Sequence, residues 1–235
     1  MAATESGKGF MPEDLPLLQG LSPRLQQELV ANSVQHSVAS GTVIFEQGEL
    51  PTFQIIVMSG SAHLLGSSSA ARQVLIEVVQ PPELIIPAAV VTGAPYLMGA
   101  RVPEASRLLM IHAATFRSAV AEDTVLARAV IDSLARQFRR MVRQVKSLKL
   151  RTAPERVGCY LLALARSQGN PTRAVLPYEK TLIASELGMT RESFSRALSA
   201  LEKSGVRVKG QTIFIDDALS LASKCSPDPL IDGED

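Results

Sequence analysis

Residues 181–204, TLIASELGMTRESFSRALSALEKS, decide the reading of this chain. Leu182, Ile183 and Leu187 make the apolar face of a short helix, Gly188 supplies a tight turn, and Thr190 can cap a second helix that Phe194, Leu198 and Leu201 bury against the first. That is the spacing of a helix-turn-helix. In such an arrangement the start of the second helix faces away from the core. Arginine donates two hydrogen bonds to O6 and N7 of guanine, glutamate accepts from N4 of cytosine and serine serves either edge. Glu192, Ser195 and Arg196, at i, i+3 and i+4, therefore form one base-reading edge. Thr190 and Arg191 at the front of the helix, with Lys203, Arg207 and Lys209 at its end and beyond, are the expected backbone contacts to double-stranded DNA.

Working outward, residues 206–208 and 212–215 read as a final pair of short strands across Lys209-Gly210-Gln211. Upstream lies an apolar helix over 156–167 and a Gly169-Asn170-Pro171 loop. Thr152-Ala153-Pro154 stops the helix before it, because a proline cannot continue the backbone hydrogen bonding, and marks a domain boundary. That preceding helix is long. Val130, Leu134, Phe138, Met141, Val145 and Leu148 recur at three- and four-residue steps among Arg136, Arg139, Arg140, Arg143 and Lys146. A seam of this length calls for a second helix, and the same helix of a second chain is the economical partner, so a homodimer is expected.

Residues 41–110 follow a different period. Short β-rich runs at 43–45, 53–58, 62–65 and 74–79 are separated by Glu46-Gln47-Gly48-Glu49, Ser59-Gly60, the turn from Gly66 through Ser69, and Pro81-Pro82, which describes a β-barrel or roll. Ahead of it Ser22-Pro23 starts an amphipathic helix with Leu25, Leu29 and Val30 on one face.

Composition excludes several classes. A chain of 235 residues with 46% hydrophobic and 20% charged residues buries a sizeable core and is not disordered; two domains are expected. The net charge of +1 conceals an asymmetry. Residues 1–100 carry three basic side chains against eight acidic, whereas residues 101–225 carry 21 against 11, a footprint for a polyanion. The uncharged run 84–100 is broken by Pro87, Gly93, Pro95 and Gly99, so no membrane span is expected. Residues 1–10 lack a secretory pattern, which places the chain in the cytoplasm with its two cysteines reduced. Nucleophile elbow, phosphate loop, metalloprotease and paired-cysteine zinc motifs are all missing, so no enzymatic activity is expected. The rival class is a nucleotide-binding-like module whose basic half contacts a protein or RNA.

Phe45-Glu46-Gln47-Gly48-Glu49, Ser59-Gly60, the long helix over 125–150 and residues 188–205 together resemble the Crp/Fnr superfamily of bacterial transcription regulators, from about Leu15 to Ala222. The resemblance implies an α+β fold: an N-terminal β-roll of the cyclic-nucleotide-binding jelly-roll kind, a dimerisation helix and a C-terminal winged helix-turn-helix. Residues 1–119 would be the sensor roll, 120–150 the dimer helix, 151–225 the DNA-binding domain and 226–235 an acidic tail. The Glu-x-x-Ser-Arg pattern is similar to the Fnr-like branch, which reads TTGAT or TTGAC half-sites, and an activator of this kind would also meet RNA polymerase. Members that bind a cyclic nucleotide hold its phosphate with Gly-Glu and Arg-Ser pairs; Ile85-Ile86 and Tyr96-Leu97 stand there, neither Glu83 nor Arg101 substitutes, and cyclic AMP is not expected. A cyclic-nucleotide-responsive regulator is the alternative within the family. An iron-sulfur cluster needs about four thiolates and only Cys159 and Cys225 exist. The remaining likeness is to the Dnr and NnrR nitric-oxide regulators, which implies haem, with His36, His63 and His112 as candidate ligands. Ile85, Ile86, Val90, Leu97 and Met98, closed off by Ile131 and Leu134, are the expected walls of an apolar sensor pocket.

Overall fold

The computed structural model describes residues 15–67 and 73–233. Residues 1–14 of the expected roll, Ser68 and Ser69 of the expected turn, and the tail acids Glu234 and Asp235 lie outside them. The chain divides into two compact units, residues 1–135 and 136–235.

The first unit begins with helix α1 (Pro23–Ala31), where the Ser22 hydroxyl accepts from the Leu25 N–H at 3.3 Å and the Pro23 ring presets the first turn. Strands β1 (Ser33–Val38), β2 (Val43–Phe45), β3 (Phe53–Ser59), β4 (Ala62–Ser67), β5 (Gln73–Val79) and β6 (Glu83–Ile85) follow. A short helix α2 (Pro87–Thr92) then leads to β7 (Gly99–Arg101) and β8 (Ser106–His112). They pair antiparallel as two four-stranded sheets, β1-β8-β3-β6 and β2-β7-β4-β5. The run Ile55-Ile56-Val57-Met58 explains how the roll is filled. Successive side chains on a strand point to opposite faces, so Ile55 and Val57 enter the core between the sheets with Phe45, Leu64 and Leu108. Ile56 and Met58 face a second core with Leu29, Leu109 and Phe116. At the turn after β3, Gly60 takes φ +77°, and a Cβ there would strike the Ser106 hydroxyl, which bridges to Ser61.

Helix α3 (Ala113–Glu122) ends at Asp123, whose carboxylate accepts from the Leu126 N–H at 2.8 Å and so starts α4 (Thr124–Leu150) afresh. The expected single segment over 120–150 is thus the end of one helix and the whole of another. Residues 124–135 of α4 belong to the first unit and 136–150 to the second.

In the second unit α5 (Ala153–Ser167) opens on a capping box: the Thr152 N–H donates to Glu155 Oε2 at 2.7 Å, and Pro154 sits harmlessly in the first turn. Then come β9 (Arg173–Val175), α6 (Lys180–Glu186), α7 (Arg191–Glu202), β10 (Val206–Lys209), β11 (Thr212–Ile215), α8 (Ala218–Cys225) and α9 (Pro229–Asp232). The wing is a three-stranded sheet, β10-β11-β9, where the sequence suggests only a pair. Val157, Leu161, Phe194, Leu201, Ile213 and Leu221 are central to this unit's core. Within the expected acidic tail Pro229–Asp232 is a helical turn, and both Asp228 and Asp232 pair with basic side chains of this unit.

Candidate nucleic-acid interface and sensor roll

The reading helix is built by three local devices. Gly188 adopts φ +64° in the turn, and a Cβ there would run into Leu148. The Thr190 hydroxyl accepts from the Ser193 N–H at 3.2 Å and fixes the first turn of α7. Phe194, Ala197, Leu198 and Leu201 are buried, which turns Arg191, Glu192, Ser195 and Arg196 outward together. The Glu192 carboxylate accepts from its own backbone N–H and from the Thr190 hydroxyl, which hold it below the usual carboxylate range. It is ionised at neutral pH and offers only acceptors, as a cytosine amino group requires.

Sequence reasoning misses Ser193. Its Oγ lies 3.2 Å from Thr190 Oγ1 and accepts from Arg196 Nη2 at 3.1 Å, so it links the cap to the guanidinium. The three-residue spacing 190, 193, 196 is the signal that could have found it. Lys203 at the end of α7 and Lys209 at the end of β10 are exposed as expected. Arg207, also expected at the DNA backbone, is exposed and paired. Its Nη2 lies 2.6 Å from Asp216 Oδ1, and the guanidinium is 5.5 Å from the centroid of the Phe214 ring, so a phosphate would have to compete with a carboxylate.

The expected seam on α4 is partly redistributed. Val130 is 2% exposed and belongs to the first unit's core, against which Leu134 also packs. Leu148 lies against the Gly188 turn and remains 40% exposed. The outward apolar row is Ile131, Phe138 and Val145, seven residues apart, flanked by Met141 and Val142; Ile131 is 58% and Phe138 65% exposed.

The proposed sensor residues do not line one pocket. Ile85, Ile86 and Met98 pack in the core between the sheets, Val90 and Leu134 in the core under the helices, while Leu97 is 83% exposed and Ile131 faces outward. At the place the resemblance assigns to the phosphate-binding arginine, Tyr96 is buried with its ring stacked on Phe45 at 3.7 Å, and its hydroxyl donates to Phe53 O at 3.4 Å. Burial pushes the phenol up to about 12, with Glu49 adding to the shift, so it stays neutral. Ile86, at the position of that pair's glutamate, adopts φ +40°, a strained conformation for a β-branched residue. These residues do not fit a cyclic phosphate. Between Phe45, Leu65, Gln73 and Arg101 there is a cavity of about 10 Å³, room for one water.

The three histidines do not converge. His36 is exposed on β1; His112 is exposed at the end of β8 with its ring 4.6 Å from Phe53; His63 is buried on β4, in register with Arg101. Burial lowers the His63 imidazole pKa, against a smaller opposing effect of Glu104. Tyr96 and Phe45 are stacked inside the roll, and the three candidate axial ligands lie on three different strands. Among the described residues no group of three or more His, Cys, Asp or Glu is placed to hold a metal ion. No helix among them is long and apolar enough to cross a membrane.

Two family models match the chain: a cyclic nucleotide-binding domain over residues 35–123 and a Crp-like helix-turn-helix domain over 155–223. The CRP-like cAMP-activated global transcriptional regulator of Mycobacterium tuberculosis is 23% identical over 213 residues, covering 88% of this chain and 95% of that protein. The nitrogen fixation regulation protein FixK of Azorhizobium caulinodans is 32% identical over 119 residues, 48% of each chain. Among solved structures, FixK2 from Bradyrhizobium japonicum superposes with a TM-score of 0.66 over 81% of this chain and 96% of its own at 21% identity, which concerns the fold. With both domains in this order on one chain, the protein belongs to the Crp/Fnr family of DNA-binding transcription regulators.

Proposed function

We propose that the protein is a homodimer that reads an Fnr-like palindrome of TTGAT or TTGAC half-sites, with Glu192, Ser195 and Arg196 at the bases and no requirement for a cyclic nucleotide. The observation that carries the reading is the outward edge of α7: an ionised acceptor, a hydroxyl and a guanidinium on one face of a capped helix whose other face is buried. Thr190, Arg191, Lys203 and Lys209 surround that edge with backbone donors. A palindrome follows from dimerisation through the outward row of α4, because two-fold symmetry presents two α7 helices to two half-sites. The partners are double-stranded DNA, a second copy of the chain and, for activation, RNA polymerase.

The mycobacterial relative is named for activation by cyclic AMP. Here Tyr96, stacked on Phe45, stands where the resemblance places a phosphate-binding arginine, which favours a regulator that does not use that nucleotide. Fluorescence anisotropy tests the reading with a TTGAT-N4-ATCAA duplex and a scrambled duplex of the same composition, without added nucleotide. Preference of at least 100-fold for the palindrome is expected, from the usual ratio of specific to non-specific binding. Equal binding to both would reject sequence-specific reading.

A further inference from the structure

Arg151 and Thr152 are the only two residues between α4 and α5, and their polar groups are tied down. The Arg151 N–H donates to Ser147 O at 3.2 Å, its carbonyl accepts from Arg156 Nη1 at 2.9 Å, and Thr152 is closed by the Glu155 capping box. The Arg151 guanidinium makes a two-pronged pair with Asp232 of α9, Nη1 to Oδ1 at 2.7 Å and Nη2 to Oδ2 at 2.5 Å. The two side chains are only 7% and 15% exposed, so the pair is largely shielded from water. Asp232 also accepts from the Asp228 N–H at 2.8 Å, and Asp228 in turn caps α9 and lies 3.6 Å from Lys146. The tail therefore delivers its acids to the joint between two helices.

The same joint reaches the reading head. Arg156, which holds the Arg151 carbonyl, donates from Nε to Leu187 O at 3.1 Å, directly before the Gly188 turn. Beside it Gln144 Nε2 donates to Glu186 O at 3.4 Å, and Leu148 packs on Gly188. We infer that Asp232 and Arg151 are positioning residues for DNA reading: the acidic tail locks the α4–α5 joint, and Arg156 carries that fixed geometry to the turn that aims α7. The inference rests on the DNA-reading proposal for its consequence, while the lock itself belongs to the fold. An arginine cannot shed its proton, so once Asp232 loses its charge the buried guanidinium has to seek water and the joint opens.

Asp232→Asn in the full chain tests this, because it keeps the shape and removes the charge. Amide hydrogen exchange in residues 185–190 is expected to speed up about tenfold, with residues 194–201 unchanged. Operator affinity is expected to fall about 3- to 10-fold, with scrambled-duplex affinity held within twofold, the scale of a modest coupling between sites. The swapped pair, Arg151→Asp with Asp232→Arg, should restore both. Unchanged exchange at 185–190 overturns the lock, and equal losses on both duplexes overturn its role in reading. Wild-type protein that fails to discriminate the duplexes would instead count against the DNA-reading proposal, with the exchange result still judging the lock. If Asp232→Asn does not fold, the swapped pair carries the comparison: wild-type exchange and affinity support the lock, and loss of both overturns it.

Discussion

A guanidinium anchored at one edge can still present its other edge to a base, and Arg196 stands in that position, its Nη2 held by Ser193. Arg196→Ala should cost about 1–3 kcal/mol on the specific duplex, the scale of a bidentate base contact, with little loss on scrambled DNA; competition anisotropy measures both. Equal losses would make Arg196 a backbone contact. Glu186 on α6 is governed by burial instead, which raises its carboxyl above the usual range because the charged form is desolvated. A carboxyl with a raised folded pKa binds more protons when folded, so its contribution is most favourable at low pH and is lost as pH rises through the folded value. Glu186→Gln should therefore raise the melting temperature at neutral pH, with the advantage shrinking as pH falls below the normal glutamate range; an advantage independent of pH would show that desolvation of the charge is not the cause. At this scale much was legible. The Thr190 cap, the Gly188 turn and the outward Glu192, Ser195 and Arg196 follow from local spacing, which three to four residues suffice to specify. The Arg207–Asp216 pair was not, because it joins β10 to the residue after β11, and charge alone does not say which acid a base will find.

Helix α4 separates what periodicity can and cannot reveal. A 3.6-residue period identifies which residues share a face, but the same apolar stripe serves an internal core or a partner. Val130 and Phe138 are eight residues apart in one pattern, yet one is fully enclosed and the other 65% exposed. The two outcomes predict different phenotypes. Val130→Ala should lose about 2 kcal/mol of stability, the cost of removing buried methyl groups and leaving a void, with no change in dimer mass. Phe138→Glu with Met141→Glu should yield monomer in sedimentation at unchanged secondary structure, because charges there face only the expected partner. A dimer that survives the double change would place the interface elsewhere. Three residues are too few to display an alternation, so β6, β7 and β9 escape sequence reading, whereas β2, equally short, is marked by its β-branched and aromatic residues and the Glu46-Gln47-Gly48-Glu49 turn after it.

Across the whole molecule, the evenly spaced turns of residues 41–110 made a roll legible, while its sheet order was not: β1 pairs with β8, so Ser33 lies opposite Ile111, and no local pattern encodes a partner that far along the chain. The nature of the roll's interior follows from both levels and leads to the last expectation. A cyclic nucleotide brings one negative charge, and enclosing it without a cationic partner costs several kcal/mol of desolvation. At the positions that the resemblance assigns to its phosphate stand Ile85, Ile86 and the neutral Tyr96, whose ring is stacked on Phe45. Arg101, the nearest candidate in sequence, lies on β7 in register with Val43 and His63 and shares with Phe45 only the cavity of about 10 Å³, too small for a nucleotide. Calorimetric titration with cyclic AMP and cyclic GMP should therefore give no saturable heat at micromolar concentrations, and neither should change operator affinity. Saturable micromolar binding abolished by Arg101→Ala would mean that Arg101 swings inward to act as the missing cation and that the Tyr96–Phe45 stack opens to admit the ligand.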